Sequence, residues 1–294
     1  MLSFAQPKPV SFPEVLSLEV NAPASQLSYG DVDQQKLVRI HRSKRNDRTV
    51  LIIHGGCWSN AYGVKHVLPM AEALSSMSLD VWATEYRRVG DEGGGWPGSL
   101  MDIKIAIQTI SEITGAPPLL IGHSAGGHLA LKVAEERSVP IRGVLALAPI
   151  TDLLSYGAEE GSCQSMVSKF MGDDTFQPTE KYREASVVPS SIDAPVEVIL
   201  GSADPIVGLN QITGFSVSQV TIVADAGHFD LIHPRTVAFE TVTARVKQLV
   251  RESEAPEAMN NSPMLGDDKQ KEKHAHPITS PDQAAIEVVG MAIR

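Results

Sequence analysis

The chain has 294 residues, 43% of them hydrophobic, enough to bury the core of one domain of about 200 residues or somewhat more, with extensions. A formal charge of −10 argues against a nucleic-acid partner, because phosphate binding needs clustered Lys and Arg; the acidic surplus reads as a solubilising surface. Residues 1–20 lack a basic start followed by an unbroken apolar stretch, and no later run approaches the roughly 20 apolar residues that span a bilayer, so a soluble, cytoplasmic protein without a membrane partner is expected.

In chain order, residues 1–26 read as an N-terminal extension and 27–251 as the folded domain. Apolar β-type runs fall at 37–41, 50–53, 81–84, 119–121, 144–147, 196–200 and 220–223. Helical spacing recurs at 64–77, 100–113, 125–137 and 235–250, with Pro97 and Pro234 where helix starts tolerate proline. This alternation predicts an α/β architecture, a doubly wound and mostly parallel sheet with helices on both faces. Composition turns polar after Val250, so 252–294 reads as a disordered tail in which 284–293 forms at most a short helix. His274 and His276 on that tail make a poor metal site.

Gly122-His123-Ser124-Ala125-Gly126 is a G-x-S-x-G pentapeptide between an apolar run and a helical pattern, the context of a nucleophile elbow. Ser124 would sit at the apex, and the flanking glycines would supply room for a sharp strand-to-helix turn. The pentapeptide alone is modest evidence. A second part strengthens it: the run 50–53 ends in His54-Gly55-Gly56-Cys57-Trp58, an HGG turn of the kind that builds an oxyanion hole. Backbone N–H groups of Gly55, Gly56, Cys57 and Ala125 are the expected donors.

A serine hydroxyl needs a base, and the base needs an orienting acid. Asp204 follows the penultimate predicted strand, and His228, in Ala226-Gly227-His228-Phe229-Asp230, follows the last. The order Ser124, Asp204, His228 is the one expected of an α/β-hydrolase. His233 reads as a capping or packing residue beside Pro234. Asp225 and Asp230 lie too close in sequence to face the imidazole, and Asp152 follows an earlier strand. His123 and His128 read as structural. Cys57 and Cys163 are too few for a disulfide framework and lack the companions of a zinc site, so both are expected to be free thiols, with Cys57 packed beside the site. No metal and no cofactor are called for: residues 90–95 are glycine-rich without the ending of a P-loop or the spacing of a dinucleotide fingerprint.

The HGG turn together with Gly122 to His128 resembles the α/β-hydrolases of the esterase and lipase group. Within that group the chain is most similar to the kynurenine formamidase-like and feruloyl-esterase-like branch, through Leu27-Ser28-Tyr29-Gly30, Glu85-Tyr86-Arg87-Arg88, Gly94-Gly95-Trp96-Pro97-Gly98 and Gly227-His228-Phe229-Asp230. Cys57 departs from the aromatic residue more often found there in formamidase-type members. The resemblance implies an α/β-hydrolase fold over roughly 27–250 and a serine hydrolase acting on a carboxylic ester. An N-formyl aryl amine such as N-formylkynurenine is the alternative substrate on the same triad, and a non-catalytic binding protein is the alternative of another class. The short stretch between Ile150 and Gln177 leaves no room for a large lid, so a small substrate is expected, with Trp58, Tyr86, Trp96 and Phe229 as candidate pocket walls. Arg87 and Arg88 read as members of structural ion pairs. The oligomeric state is not legible, and a homodimer is left open.

Overall fold

Strands covered on both faces need apolar residues at nearly every position. The runs Thr49–Ile53 (β3) and Leu119–His123 (β5) have that character, and in the computed structural model, which describes residues 8–22, 24–40 and 48–252, every residue of both is buried. Ala24–Ser28 (β1), Lys36–Ile40 (β2), Asp80–Thr84 (β4), Gly143–Leu147 (β6), Val196–Gly201 (β7) and Val220–Val223 (β8) complete one sheet in the order β1-β2-β4-β3-β5-β6-β7-β8. From β4 to β8 all neighbours are parallel, whereas β2 pairs antiparallel with both β1 and β4.

The order dictates where a site belongs. The chain steps from β3 to β4 on one side, then crosses to β5 on the other side of β3. The carboxyl ends of β3 and β5 therefore flank a topological switch point, where open α/β sheets leave a crevice. His54-Gly55-Gly56 leaves β3 there, and Ser124 leaves β5 there.

The helices are Phe12–Leu16 (α1), Leu68–Ser75 (α2), Gly98–Thr114 (α3), Ala125–Glu136 (α4), Leu153–Gly157 (α5), Met166–Phe170 (α6), Glu180–Ala185 (α7) and Val237–Glu252 (α8). α2 packs on β2 and β4, α4 on β5 and β6, and α8 on β6 and β7, while α3 and α4 pack on each other. In α8 the buried residues Ala238, Phe239, Val242, Val246 and Leu249 recur at helical spacing, which gives that helix one apolar face. The whole insertion between β6 and β7 carries three short helices, α5 to α7, and no large lid. The fold is that of an α/β-hydrolase.

Several boundaries differ from expectation. β1 is an additional strand: Ala-Ser-Gln-Leu-Ser has no apolar pattern, all five residues are exposed, and pairing with β2 alone makes it a strand. The helical pattern of 64–77 opens as a 3₁₀ turn, Val64–Val67, before α2. The last helix starts at Val237 because the Thr236 hydroxyl accepts from the Phe239 N–H at 3.1 Å and ends the preceding turn. The N-terminal extension is folded in part, since α1 buries Val15 completely. The expected tail beyond Glu252, its terminal helix and His274 and His276 lie outside the described residues.

α4 buries His128, whose Nε2–H donates to the Ala185 carbonyl at 2.7 Å, so it is a structural residue. Burial lowers its pKa to about 4, with Lys132 nearby in the same sense and the Ala185 bond opposing. Unfolded, it titrates near 6.5. Between those values the unfolded chain binds a proton that the native one does not, so stability falls as pH falls. At pH 5 this one group should cost about 2 kcal/mol relative to neutral pH. Urea unfolding at pH 7 and pH 5 checks it: His128→Gln should lose less stability on acidification than the wild type, and equal losses would contradict the assignment.

Candidate active site

Ser124 ends β5 and begins α4 with φ 54° and ψ −120°, a backbone region that non-glycine residues rarely occupy and that costs of order 1–3 kcal/mol. The turn is held by the Ser124 N–H donating to the Leu147 carbonyl at 2.8 Å and by close backbone approach. A Cβ on Gly126 would lie 2.2 Å from the Ile53 carbonyl oxygen, so only glycine lets α4 come this near β3. A Cβ on Gly55 would lie 2.9 Å from Ser124 Cβ. The HGG turn is thereby pressed against the serine, and Gly56 (φ 103°), Cys57 (φ 52°) and Trp58 (φ 56°) follow it in a run of left-handed residues. Ala125 is the first residue of α4, whose leading N–H groups have no partner within the helix.

Asp204 and His228 meet across 24 positions of sequence. His228 Nδ1–H donates to Asp204 Oδ2 at 2.7 Å, and both side chains are buried. The other oxygen of Asp204 accepts from the N–H groups of Ile206 (2.8 Å) and Val207 (3.0 Å), so the carboxylate is fixed by its own turn. His123 Nε2–H donates to the His228 carbonyl at 3.1 Å, and burial, with His228 and His66 close by, holds His123 far below the ordinary histidine range and therefore neutral. The rival acids are engaged elsewhere. Asp152 caps α5 by accepting from Leu154 and Ser155 N–H. Asp230 accepts from the N–H groups of Val10 and Gly227. His233 accepts from Arg235 N–H.

Ser124 and His228 line one cavity of about 360 Å³, within the usual range for small-molecule sites. Phe12, Tyr62, His66 and Phe229 form its aromatic part, with Gly56, Cys57, residues 160–164, Pro205 and Ile206 around the remainder. Burial first, then the nearness of His54, lowers His66 to about 3 and leaves it uncharged. Of the four expected pocket walls only Phe229 faces this cavity. Trp58 is fully buried and stacks on Phe170 with ring centroids 4.6 Å apart. Tyr86 is also fully buried, stacked on His54, with its hydroxyl donating to the His54 carbonyl at 2.9 Å. Trp96 is half-buried against Phe170, with Lys132 Nζ 5.9 Å from its ring centre.

The cysteines also depart from expectation. Cys57 and Cys163 are not free thiols but form a disulfide across a sequence separation of 106, with Cα atoms 5.1 Å apart. The bond ties the end of the HGG turn to the loop that forms another wall of the cavity. Two cysteines so far apart carry no pairing signal in a sequence. A disulfide is the bond that oxidising compartments preserve and reducing ones do not, so this pair lends the expected cytoplasmic location no support. Among the described residues no helix is long and apolar enough to cross a membrane.

Arg87 and Arg88 are held in structural ion pairs. Arg87 makes a two-pronged ion pair with the fully buried Asp102, which also accepts from the Arg87 N–H and from Gln35. Arg88 bonds Glu85 and the Tyr62 carbonyl. Burial pushes the Glu85 carboxyl up, but the His54 bond, the charges of His54 and Arg88 and the Val64 N–H outweigh it and bring it to about 2. Glu85 thus anchors the HGG histidine through His54 Nε2 at 3.3 Å. Among the described residues no three His, Cys, Asp or Glu side chains are grouped as a metal would require.

Phe12, Tyr62, His66 and the Cys163 loop were not legible as site residues in the sequence. The motif around Ser124 carries no information about which distant segments close over it.

Solved structures similar to this chain include esterases and lipases of the same fold. Esterase B from Lactobacillus rhamnosis is 20% identical, covering 79% of this chain and 86% of its own, with a TM-score of 0.60. A truncated carbohydrate esterase from gut microbiota is 17% identical, covering 79% of this chain and 100% of its own, with a TM-score of 0.62. A hormone-sensitive lipase from a metagenome library is 16% identical, covering 84% and 93%, with a TM-score of 0.64. No curated protein sequence matches the chain. The sequence profile of the BD-FAE family matches residues 38–217, a span that contains the HGG turn, the elbow and Asp204, and the chain belongs to the BD-FAE family.

Proposed function

We propose that this protein is a serine hydrolase that cleaves a small carboxylic ester through an acyl-enzyme. The observation that carries the reading is that His228, hydrogen-bonded to the buried Asp204, lines the same cavity as a serine held at an elbow. Ser124 Oγ attacks the ester carbonyl while His228 Nε2 takes its proton, and the Asp204 carboxylate keeps the other ring nitrogen protonated and stabilises the imidazolium. The oxyanion is received by N–H groups of the HGG turn and of Ala125. Collapse expels the alcohol, which takes the proton back from His228. Water, deprotonated by His228, then attacks the acyl-enzyme, and the carboxylic acid leaves as the serine regains its proton.

N-formyl aryl amines would use the same groups. Among the described residues that line the cavity there is no Lys or Arg for the carboxylate of N-formylkynurenine, which favours an uncharged ester. A fluorophosphonate probe tests the reading: intact-mass analysis should show one adduct, peptide mapping should place it on Ser124, and turnover of short p-nitrophenyl esters should disappear in proportion. Adduct formation elsewhere, or none, would reject it.

A further inference from the structure

The mechanism returns a proton from His228 to the leaving alcohol, so that alcohol must sit on the histidine side of the cavity. What stands there is an aromatic wall. The Phe229 ring lies 5.1 Å from His228, and Phe12 lies 5.5 Å from Phe229, 5.3 Å from Tyr62 and 5.4 Å from His66. Phe12 comes from the N-terminal strap, outside the stretch matched by the family profile. The strap is anchored rather than draped. Val10 N–H donates to Asp230 Oδ2 at 2.9 Å, the same oxygen accepts the N–H of Gly227 at 3.0 Å, and Val15 is fully buried. One carboxylate therefore fastens the strap to the residue preceding His228. Glu160 is the single Asp, Glu, Lys or Arg side chain among the described residues lining the cavity.

Resting on the hydrolase reading above, the geometry points to Phe12 as a specificity-determining residue that selects an uncharged aromatic alcohol as the leaving group. An aryl ring packed in edge or offset contact with Phe12 and Phe229 gains more than an alkyl chain of similar polarity, because aromatic pairs attract one another beyond their area burial.

Benzyl and ethyl acetate share an acyl group and have leaving alcohols of similar acidity, so the ratio of their kcat/KM values reports the alcohol site. The wild type should prefer benzyl acetate, and Phe12→Ala should lower that ratio about fivefold, equivalent to one aromatic contact. Titration of benzyl alcohol followed by NMR should show a Kd raised at least about threefold in the variant. An unchanged ratio overturns the proposal. So does an equal fall for both acetates, which would make the strap a mere support for the His228 loop. If the wild type hydrolyses neither acetate and Ser124 resists the fluorophosphonate, the hydrolase reading fails, and the titration still decides this one: binding that ignores Phe12, or no binding, overturns it.

Discussion

Ser124→Ala is expected to lower kcat/KM for p-nitrophenyl acetate by a factor on the order of 10⁵, leaving only the contribution of binding and of the oxyanion donors. The variant should fold normally. Alanine keeps the Cβ of serine, so the strain of φ 54° at the apex is unchanged, and the N–H bond to the Leu147 carbonyl does not involve the side chain. Loss of activity with an unchanged melting temperature would isolate the hydroxyl as the nucleophile. A variant retaining more than about a hundredth of wild-type activity would show that hydrolysis proceeds without the acyl-enzyme.

Asp204→Asn is expected to reduce kcat by about 10⁴-fold with little change in stability. The structure explains why those two effects separate. The backbone donors Ile206 and Val207 both bind Oδ1, and an asparagine carbonyl can accept them equally well, so the turn survives. The other arm then presents an NH₂ to His228 Nδ1 where Oδ2 now accepts at 2.7 Å. A donor facing Nδ1 forces the proton onto Nε2, the atom that must accept from Ser124, and the imidazolium loses its counter-charge. Kinetics and thermal melts on the same preparation check the separation. A large fall in melting temperature, or a kcat within about tenfold of wild type, would mean that Asp204 is chiefly a structural turn residue.

What the sequence by itself determined is local. Continuous apolar runs at 50–53 and 119–121 could bury both faces only inside a parallel sheet, and they do. Gly55, Gly122 and Gly126 stand where backbone approaches so closely that any side chain would collide, and Gly56 has φ 103°, which is why the elbow and the HGG turn were legible as motifs. Asp204 and His228 were legible because strand ends in this topology converge on one crevice. The tertiary structure decided everything that depends on which distant surfaces meet. β1 is polar and exists only through its register with β2. Cys57 and Cys163 carry no mark of pairing until the loop at 160–164 is folded over the HGG turn. Trp58 and Tyr86 are equally aromatic in sequence whether they face a ligand or the core, and only packing against Phe170 and His54 turned them inward. Phe12 was read as part of an extension and is a wall of the cavity, because the Asp230 carboxylate holds the strap across a separation of 220 residues. Periodicity and motif report the constraints on a residue's own backbone; the identity of its non-local neighbours is set by the packing of the whole chain.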